Sequence, residues 1–228
     1  TAPTASVTTA SVNNTTSVTT AQSTETGTVY LVKSGSTVTD KASLDTLAAG
    51  DTANSATVTT ANTNTTIATT GLVDGAYKTY AVDAAGNVSA ASTNTITLDS
   101  AAPTISAVSI PNSAMKVGSA VTVSITAGEA GLSLVSGSVN GVNVTGFTDN
   151  GSGSYSATYT VAEGNTDRAA GATIPVSFVL ADAASNNSAA FTTAISQASD
   201  SIDANTPTTS VTTASVNNTT SVTTAQST

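Results

Sequence analysis

A near-identical internal repeat constrains this chain more than any other feature. Residues 3–24 read PTASVTTASVNNTTSVTTAQST and residues 207–228 read PTTSVTTASVNNTTSVTTAQST, differing only at Ala5 and Thr209. The offset is 204 residues (207 minus 3), so the 228 residues cover one period and the first 22 residues of the next. Such similarity indicates tandem duplication, and a tandem array serves reach, rigidity or multivalency better than catalysis.

A weaker repeat divides the period into halves. Three pairs of short segments recur in the same order: Glu25–Gly27 with Glu129–Gly131, Asp83–Asn87 with Asp182–Asn186, and Leu98–Thr104 with Ile202–Thr208. We therefore expect two diverged copies of one fold, at residues 1–100 and 101–205, with residues 206–228 beginning the next repeat. A length of about 100 residues suits one sandwich domain.

The residue types predict an all-β chain. Val and Thr favour strands, whereas Gly, Asn, Asp and Ser supply turns, and the segments between the turns alternate in polarity. About seven strands per half predict two tandem immunoglobulin-like β-sandwiches followed by the first strands of a third. Residues 42–49 are the one segment that resembles a helical turn. The expected core contains Val29, Leu31, Tyr80, Val82, Val123, Ile125, Phe178 and Leu180.

Composition excludes several kinds of chemistry. The chain has no Cys and no His, which removes the usual nucleophilic dyads and the common zinc sites. Five basic residues against fourteen acidic ones give a formal charge of −9, which disfavours nucleic acid and anionic membranes as partners. We find neither a phosphate-binding loop nor an apolar run long enough to span a bilayer. The sequence therefore predicts a protein that is not an enzyme and does not insert into a membrane.

Three stretches resemble a known class of repeats. Residues 75–89 (GAYKTYAVDAAGNVS), the linker 98–104 (LDSAAPT) and residues 159–182 are similar to the bacterial Ig-like repeats of large secreted surface proteins, the biofilm-associated and RTX-type adhesins. The resemblance implies tandem sandwiches that act as a stalk at the bacterial cell surface, outside the cell, often stiffened by calcium between domains. One departure is Ser185, which stands where the first half has Gly86, so we expect the second turn to be shaped differently.

The repeated acidic positions suggest a calcium site. In an Ig topology Asp99, Glu129 and Asp182 meet at the junction between the halves, and Asn186 or a backbone carbonyl completes the set of oxygen ligands that Ca²⁺ prefers. Glu25, Asp83 and Asp203 are the equivalent half-sites at other junctions of an array. The alternative is that these acids cap turns by accepting backbone N–H bonds.

Three functions remain open at this point. The first is a structural spacer whose partners are the neighbouring repeats of the same chain. The second is a self-assembling filament, sheath or surface layer, in which a strand such as residues 210–220 adds to a lateral copy. The third is a module whose Thr-rich faces bind glycan, ice or a host protein.

Overall fold

A computed structural model describes residues 1–13, 18–211 and 225–227 of the chain. These residues are almost entirely β, with one short helix. The chain divides into two compact units: the first comprises residues 1–104, 131–133 and 180–189, and the second comprises 105–130, 134–179 and 190–228. The domain boundaries at residues 100 and 205 stay predictions.

The first unit contains two sheets. Its elements are β1 (Ala5–Val7), β2 (Ala10–Val12), β3 (Val18–Ser23), β4 (Gly27–Lys33), α1 (Lys41–Ala48), β5 (Ala53–Val58), β6 (Thr65–Ala68), β7 (Gly75–Asp83) and β8 (Ile96–Leu98). One sheet has the order β1-β3-β6, and the other has the order β2-β8-β7-β4-β5. The first two strands of the chain belong to different sheets. β1 pairs antiparallel with β3 in one sheet, and β2 pairs parallel with β8 in the other. This is the topology of an immunoglobulin-like sandwich.

Apolar side chains from both sheets of the first unit form one core. Ala5, Ala21 and Ile67 of the three-stranded sheet pack in one cluster with Leu31 and Tyr77 of the five-stranded sheet. Side chains along a strand point alternately to its two faces, so Val29 of β4 and Ala81 of β7 also lie in this cluster. Tyr30 and Val32 of β4 lie in a second cluster on the opposite face of the five-stranded sheet.

Helix α1 covers that second cluster. Asp40 caps its N-terminus, accepting from the Ser43 backbone N–H at 2.8 Å, while the Ser43 hydroxyl completes a capping box. Leu44 is fully buried. Tyr30 donates its hydroxyl to Asp45 at 2.6 Å, and burial together with this bond raises the pKa of Tyr30 to about 12. The helical turn predicted at residues 42–49 is therefore present and has a structural role.

The second unit repeats the plan with different strand lengths. Its strands are β9 (Ile105–Ser109), β10 (Met115–Lys116), β11 (Ala120–Ala127), β12 (Ser133–Val139), β13 (Val142–Asn143), β14 (Thr145–Gly151), β15 (Ser154–Thr160), β16 (Val176–Ala181), β17 (Ile202–Asp203), β18 (Thr209–Val211) and β19 (Ala225–Ser227), with the first residue of β12 and the last two of β16 assigned to the first unit. The sheets have the orders β14-β15-β11-β9 and β13-β12-β16, with a parallel pair β10-β17 and a separate antiparallel pair β18-β19. The all-β sandwich prediction is confirmed.

Two strand predictions in this half are wrong in detail. The sequence predicts separate strands at residues 132–135 and 138–144, whereas in the structure β12 runs across the break between them and only the short β13 follows it. The sequence also predicts a strand at residues 189–195, yet these residues pair only through isolated bridges such as Phe178–Phe191 and Ile174–Ile195. Of the predicted core residues, seven are buried and Tyr80 is half-buried.

The described ends of the repeated segment pair in the same way in both copies. Thr209 pairs with Ser227 between β18 and β19, and Ala5 pairs with Ser23 between β1 and β3. These pairs are related by the 204-residue offset of the sequence repeat. The antiparallel strand pair at the start of a period therefore has the same register in both copies.

Candidate functional site

The turn after β7 is closed by an aspartate that caps it. Asp83 Oδ1 accepts from the backbone N–H groups of Ala85 at 2.9 Å and Asn87 at 2.8 Å. Its Oδ2 accepts from Asn87 Nδ2 at 2.7 Å. The Asn87 side chain and then its backbone N–H hold the pKa of Asp83 below its usual range. The carboxylate thus acts as a template for the turn, as Asp does in Asx turns.

The equivalent turn after β16 has the same two bonds between its aspartate and its asparagine, and two additional partners. Asp182 accepts from Asn186 N at 2.9 Å and from Asn186 Nδ2 at 2.8 Å. Asn186 Nδ2 also donates to the backbone carbonyl of Asp99 at 2.8 Å, a bond that lies within the first unit. Asn13 Nδ2 donates to the carbonyl of Ala184 at 3.3 Å, also within that unit. This turn is therefore fastened to a seat formed by Asn13 and Asp99.

The two turns have the same backbone shape. Gly86 has φ of +88° and Ser185 has φ of +68°, both in the left-handed region. The backbone bond closing each turn is also the same, because Asp83 N donates to Asn87 O and Asp182 N donates to Asn186 O, each at 3.2 Å. The expectation that serine changes the shape of the second turn is wrong. The hydrogen bonds of the capping aspartate hold the turn in this shape, so Ser185 adopts the strained left-handed conformation.

The other predicted ligands also take part in local hydrogen bonds. Asp99 Oδ1 accepts from Ala101 N at 3.0 Å, and Asp203 Oδ1 accepts from Asn205 N at 3.3 Å. The Glu129 carbonyl accepts from the Tyr155 hydroxyl at 2.9 Å. In Glu25 the backbone N–H donates to Ser23 Oγ at 3.2 Å.

No three acidic side chains among residues 1–13, 18–211 and 225–227 lie close enough together to hold a metal ion. The hydrogen bonds of Asp83 and Asp182 account for their turns without a cation. The assignment of Asp99, Glu129, Asp182 and Asn186 to a calcium site stays a prediction, as does that of the half-sites Glu25, Asp83 and Asp203.

Three further carboxylates hold the linkers, and sequence reasoning missed them. Asp74 accepts from Ser100 N at 3.0 Å and from Ser100 Oγ at 2.7 Å, fixing the chain just after β8. In the second unit Asp167 accepts from Ala204 N and from Asn205 Nδ2, each at 2.7 Å. Each of these acids fastens the residues that leave its own unit.

Glu163, also in the second unit, is the third of these carboxylates. Its two carboxylate oxygens each accept from Thr206 N at 3.1 Å, and one also accepts from Thr206 Oγ1 at 2.8 Å. Asp74 precedes Gly75 in a turn signal, but nothing in the sequence indicates that its partner lies 26 residues later. The same holds for Glu163, whose partner lies 43 residues later.

A shallow polar groove of about 270 Å³ lies on the first unit. It is lined by Ser6, Val7, Thr8, Thr20, Gln22, Asn64 and Asn94. None of these lining residues is aromatic, so the groove offers no ring on which a sugar could stack. Across the described part of the chain, no helix is long and apolar enough to cross a membrane.

Comparison with known proteins gives distant similarities only. The sequence matches no family model, and no curated protein matches it significantly. Among solved structures, the fibronectin(III)-like modules of Clostridium thermocellum CbhA are similar at 17% identity over 88% of this chain and 90% of that one, with a TM-score of 0.42.

Two further solved structures are similar at lower TM-scores. The BSP domain of a biofilm-associated protein has 17% identity over 86% of this chain and 29% of its own, with a TM-score of 0.27. The D00–D0 domain of intimin has 14% identity over 83% of this chain and 98% of its own, with a TM-score of 0.28. At these TM-scores the similarities do not assign the chain to a family, and the fold assignment depends on the strand topology described above.

Proposed function

We propose that this chain is a non-catalytic structural spacer, a tandem Ig-like stalk segment of a large bacterial surface adhesin. The observation that carries the proposal is the 204-residue sequence repeat, in whose two copies the same antiparallel strand pair has the same register. A period that restarts with unchanged strand pairing can be added many times without altering the fold. Length is the property that such addition changes.

The fastening of the linkers supports this proposal. Ser100 is held by Asp74, and residues 204–206 are held by Asp167 and Glu163, in each case through more than one hydrogen bond. A linker that is free of its domain behaves as a flexible coil, whereas a linker with its backbone donors satisfied by the domain does not. A spacer that holds its ends far apart needs linkers that are hydrogen-bonded to the domain.

Calcium stiffening is a separate part of the proposal. Carboxylates and carbonyls at Asp99, Glu129, Asp182 and Asn186 are oxygen donors of the kind that Ca²⁺ prefers. Binding would require some of the cap hydrogen bonds of Asp182 to be exchanged for metal bonds. The thermal unfolding temperature in calcium and in EGTA tests this part, because a bound ion raises it by mass action.

The spacer is distinguished from a self-assembling filament by its behaviour in solution. We expect the chain to sediment as a monomer at micromolar concentration with no ordered assembly on standing. Assembly into a fibre or sheet of fixed repeat would contradict the spacer and favour the filament. Retention of a glycan by the chain at micromolar affinity would instead favour the binding module.

A further inference from the structure

We propose that the turn Asp83–Asn87 is a docking surface for the preceding period of the same repeat, and that its seat is a groove at the end of the second unit. This inference rests on the proposed array. It names the residues through which one period contacts the next. The partner is a second copy of this chain, joined in tandem.

The two turns differ in how far their side chains are exposed. In the turn Asp182–Asn186, Ala184 is 4% exposed and Asn186 is half-buried, because Asn13 and Asp99 lie against them. The equivalent residues of the other turn, Ala85 and Asn87, are exposed. Each turn has the same two bonds between its aspartate and its asparagine, so the difference in exposure lies in the missing seat. The turn Asp83–Asn87 thus exposes a surface whose counterpart in the turn Asp182–Asn186 is covered.

The seat formed by Asn13 and Asp99 in the first unit has a counterpart in the second unit. Val12 pairs with Leu98 in the first unit and Met115 pairs with Ile202 in the second, so the residues that follow, Asn13 and Lys116, occupy equivalent places. Asp99 and Asp203 are equivalent by the 104-residue offset, and both accept from the backbone N–H two residues on. The second unit therefore carries the counterparts of both seat residues.

These counterparts line an open groove of about 260 Å³. Its lining residues are Lys116, Val117, Asp203, Asn205, Thr206 and Pro207. Lys116 and Asp203 are both exposed. The groove lies beside the hydrogen bonds that Glu163 and Asp167 make to residues 204–206, so its wall is fixed.

The expected contacts follow from those in the first unit. Asn87 Nδ2 donates to the Asp203 carbonyl, as Asn186 does to Asp99. That carbonyl already accepts from Val117 N at 3.2 Å, and its second lone pair is available for the amide. Lys116 replaces Asn13 as the donor to the turn carbonyl, here that of Ala85. Both donor–acceptor pairs are thus preserved, although one donor is Lys116 in place of an asparagine.

The test uses a two-period chain, in which residue 228 is followed by a second copy of residues 25–228. Since the sequence has no cysteine, two introduced thiols are the only ones present. The forward variant carries Lys116→Cys in the first period and Ala85→Cys in the second, and a short bis-maleimide reports their proximity. The reversed variant carries Ala85→Cys in the first period and Lys116→Cys in the second. Asn13→Cys with Ala184→Cys within one period is the positive control, because that contact is present in the first unit.

We expect the forward pair to crosslink within one chain at least about tenfold faster than the reversed pair, since docking raises the effective concentration of one thiol at the other. Equal rates for the two arrangements would overturn the proposal. In the forward variant, Asn87→Ala in the second period should lower the rate several-fold, whereas the same change in the first period should not. A monomeric spacer with equal forward and reversed rates would retain the proposed function and refute only the docking.

Discussion

The contribution of the turn-to-linker bond can be measured by comparing the same substitution in two equivalent turns. Asn186→Ala removes two side-chain bonds, one to Asp182 and one to the Asp99 carbonyl. Asn87→Ala removes only the bond to Asp83 that the structure gives that amide. The turns are otherwise matched in backbone bonding, so the difference between the two substitutions isolates the bond to Asp99.

The expected difference is the net free energy of one hydrogen bond. A neutral amide-to-carbonyl bond contributes about 1 kcal/mol to stability, with a range of about 0.5–1.5 kcal/mol. Asn186 is half-buried, and its loss also leaves the Asp99 carbonyl without this donor. We therefore expect Asn186→Ala to lower the free energy of unfolding by about 1 kcal/mol more than Asn87→Ala does.

Differential scanning calorimetry of the full chain measures this difference. For a unit of this size, 1 kcal/mol corresponds to a shift of about 4 °C in the unfolding temperature. Asn186→Ala should therefore unfold about 4 °C below Asn87→Ala. Equal shifts for the two variants would refute the reasoning, because they would show that the bond to Asp99 adds nothing to the stability of the first unit.

Four other predictions follow from single features. Ser185→Gly should stabilise by about 0.5 kcal/mol in urea unfolding, because the left-handed strain is removed and partly offset by chain entropy; Gly86→Ser should destabilise similarly. Stability linked to Tyr30 should be complete below pH 10 and lost as the pH rises towards 12, in step with its absorbance titration. Gly137→Ala should cost about 1–3 kcal/mol, since the new Cβ would lie 2.7 Å from a ring carbon of Phe178. Calcium should raise the unfolding temperature relative to EGTA.

Each of these has a result that would count against it. A destabilised Ser185→Gly would mean that the serine side chain contributes more than its backbone strain costs. An ordinary midpoint for Tyr30, near 10, would show that its bond to Asp45 is not held in solution. A neutral Gly137→Ala would mean that the Phe178 ring has room to move. An unfolding temperature unchanged by EGTA would leave the acids as turn caps alone.

The sequence was sufficient to predict the fold class because its signals are local and repeated. Alternation along β7 and β11 shows directly which side chains face a core, and the acid–glycine turns separate the strands. The helix at residues 42–49 was also visible. The strand predicted at residues 189–195 is wrong because strand-forming residues such as Phe191 and Ile195 do not reveal that the backbone pairs only at intervals.

The candidate site was less accessible to sequence reasoning. The positions of Asp83 and Asp182 in turns follow from the repeated motif, but motif spacing does not separate a cap from a metal ligand. The roles of Asp74 and Glu163 depend on partners 26 and 43 residues away, which only the folded chain brings together. The seat of Asn186 was missed for the same reason, since Asp99 lies 87 residues earlier.

Small-angle X-ray scattering of arrays with one, two and three periods tests the spacer most directly. If the periods act as a stiff spacer, the maximum dimension should rise by the same step with each added period. A flexible chain of modules would instead grow roughly as the square root of the number of periods. Equal steps would support the account, and steps that shrink as periods are added would contradict it.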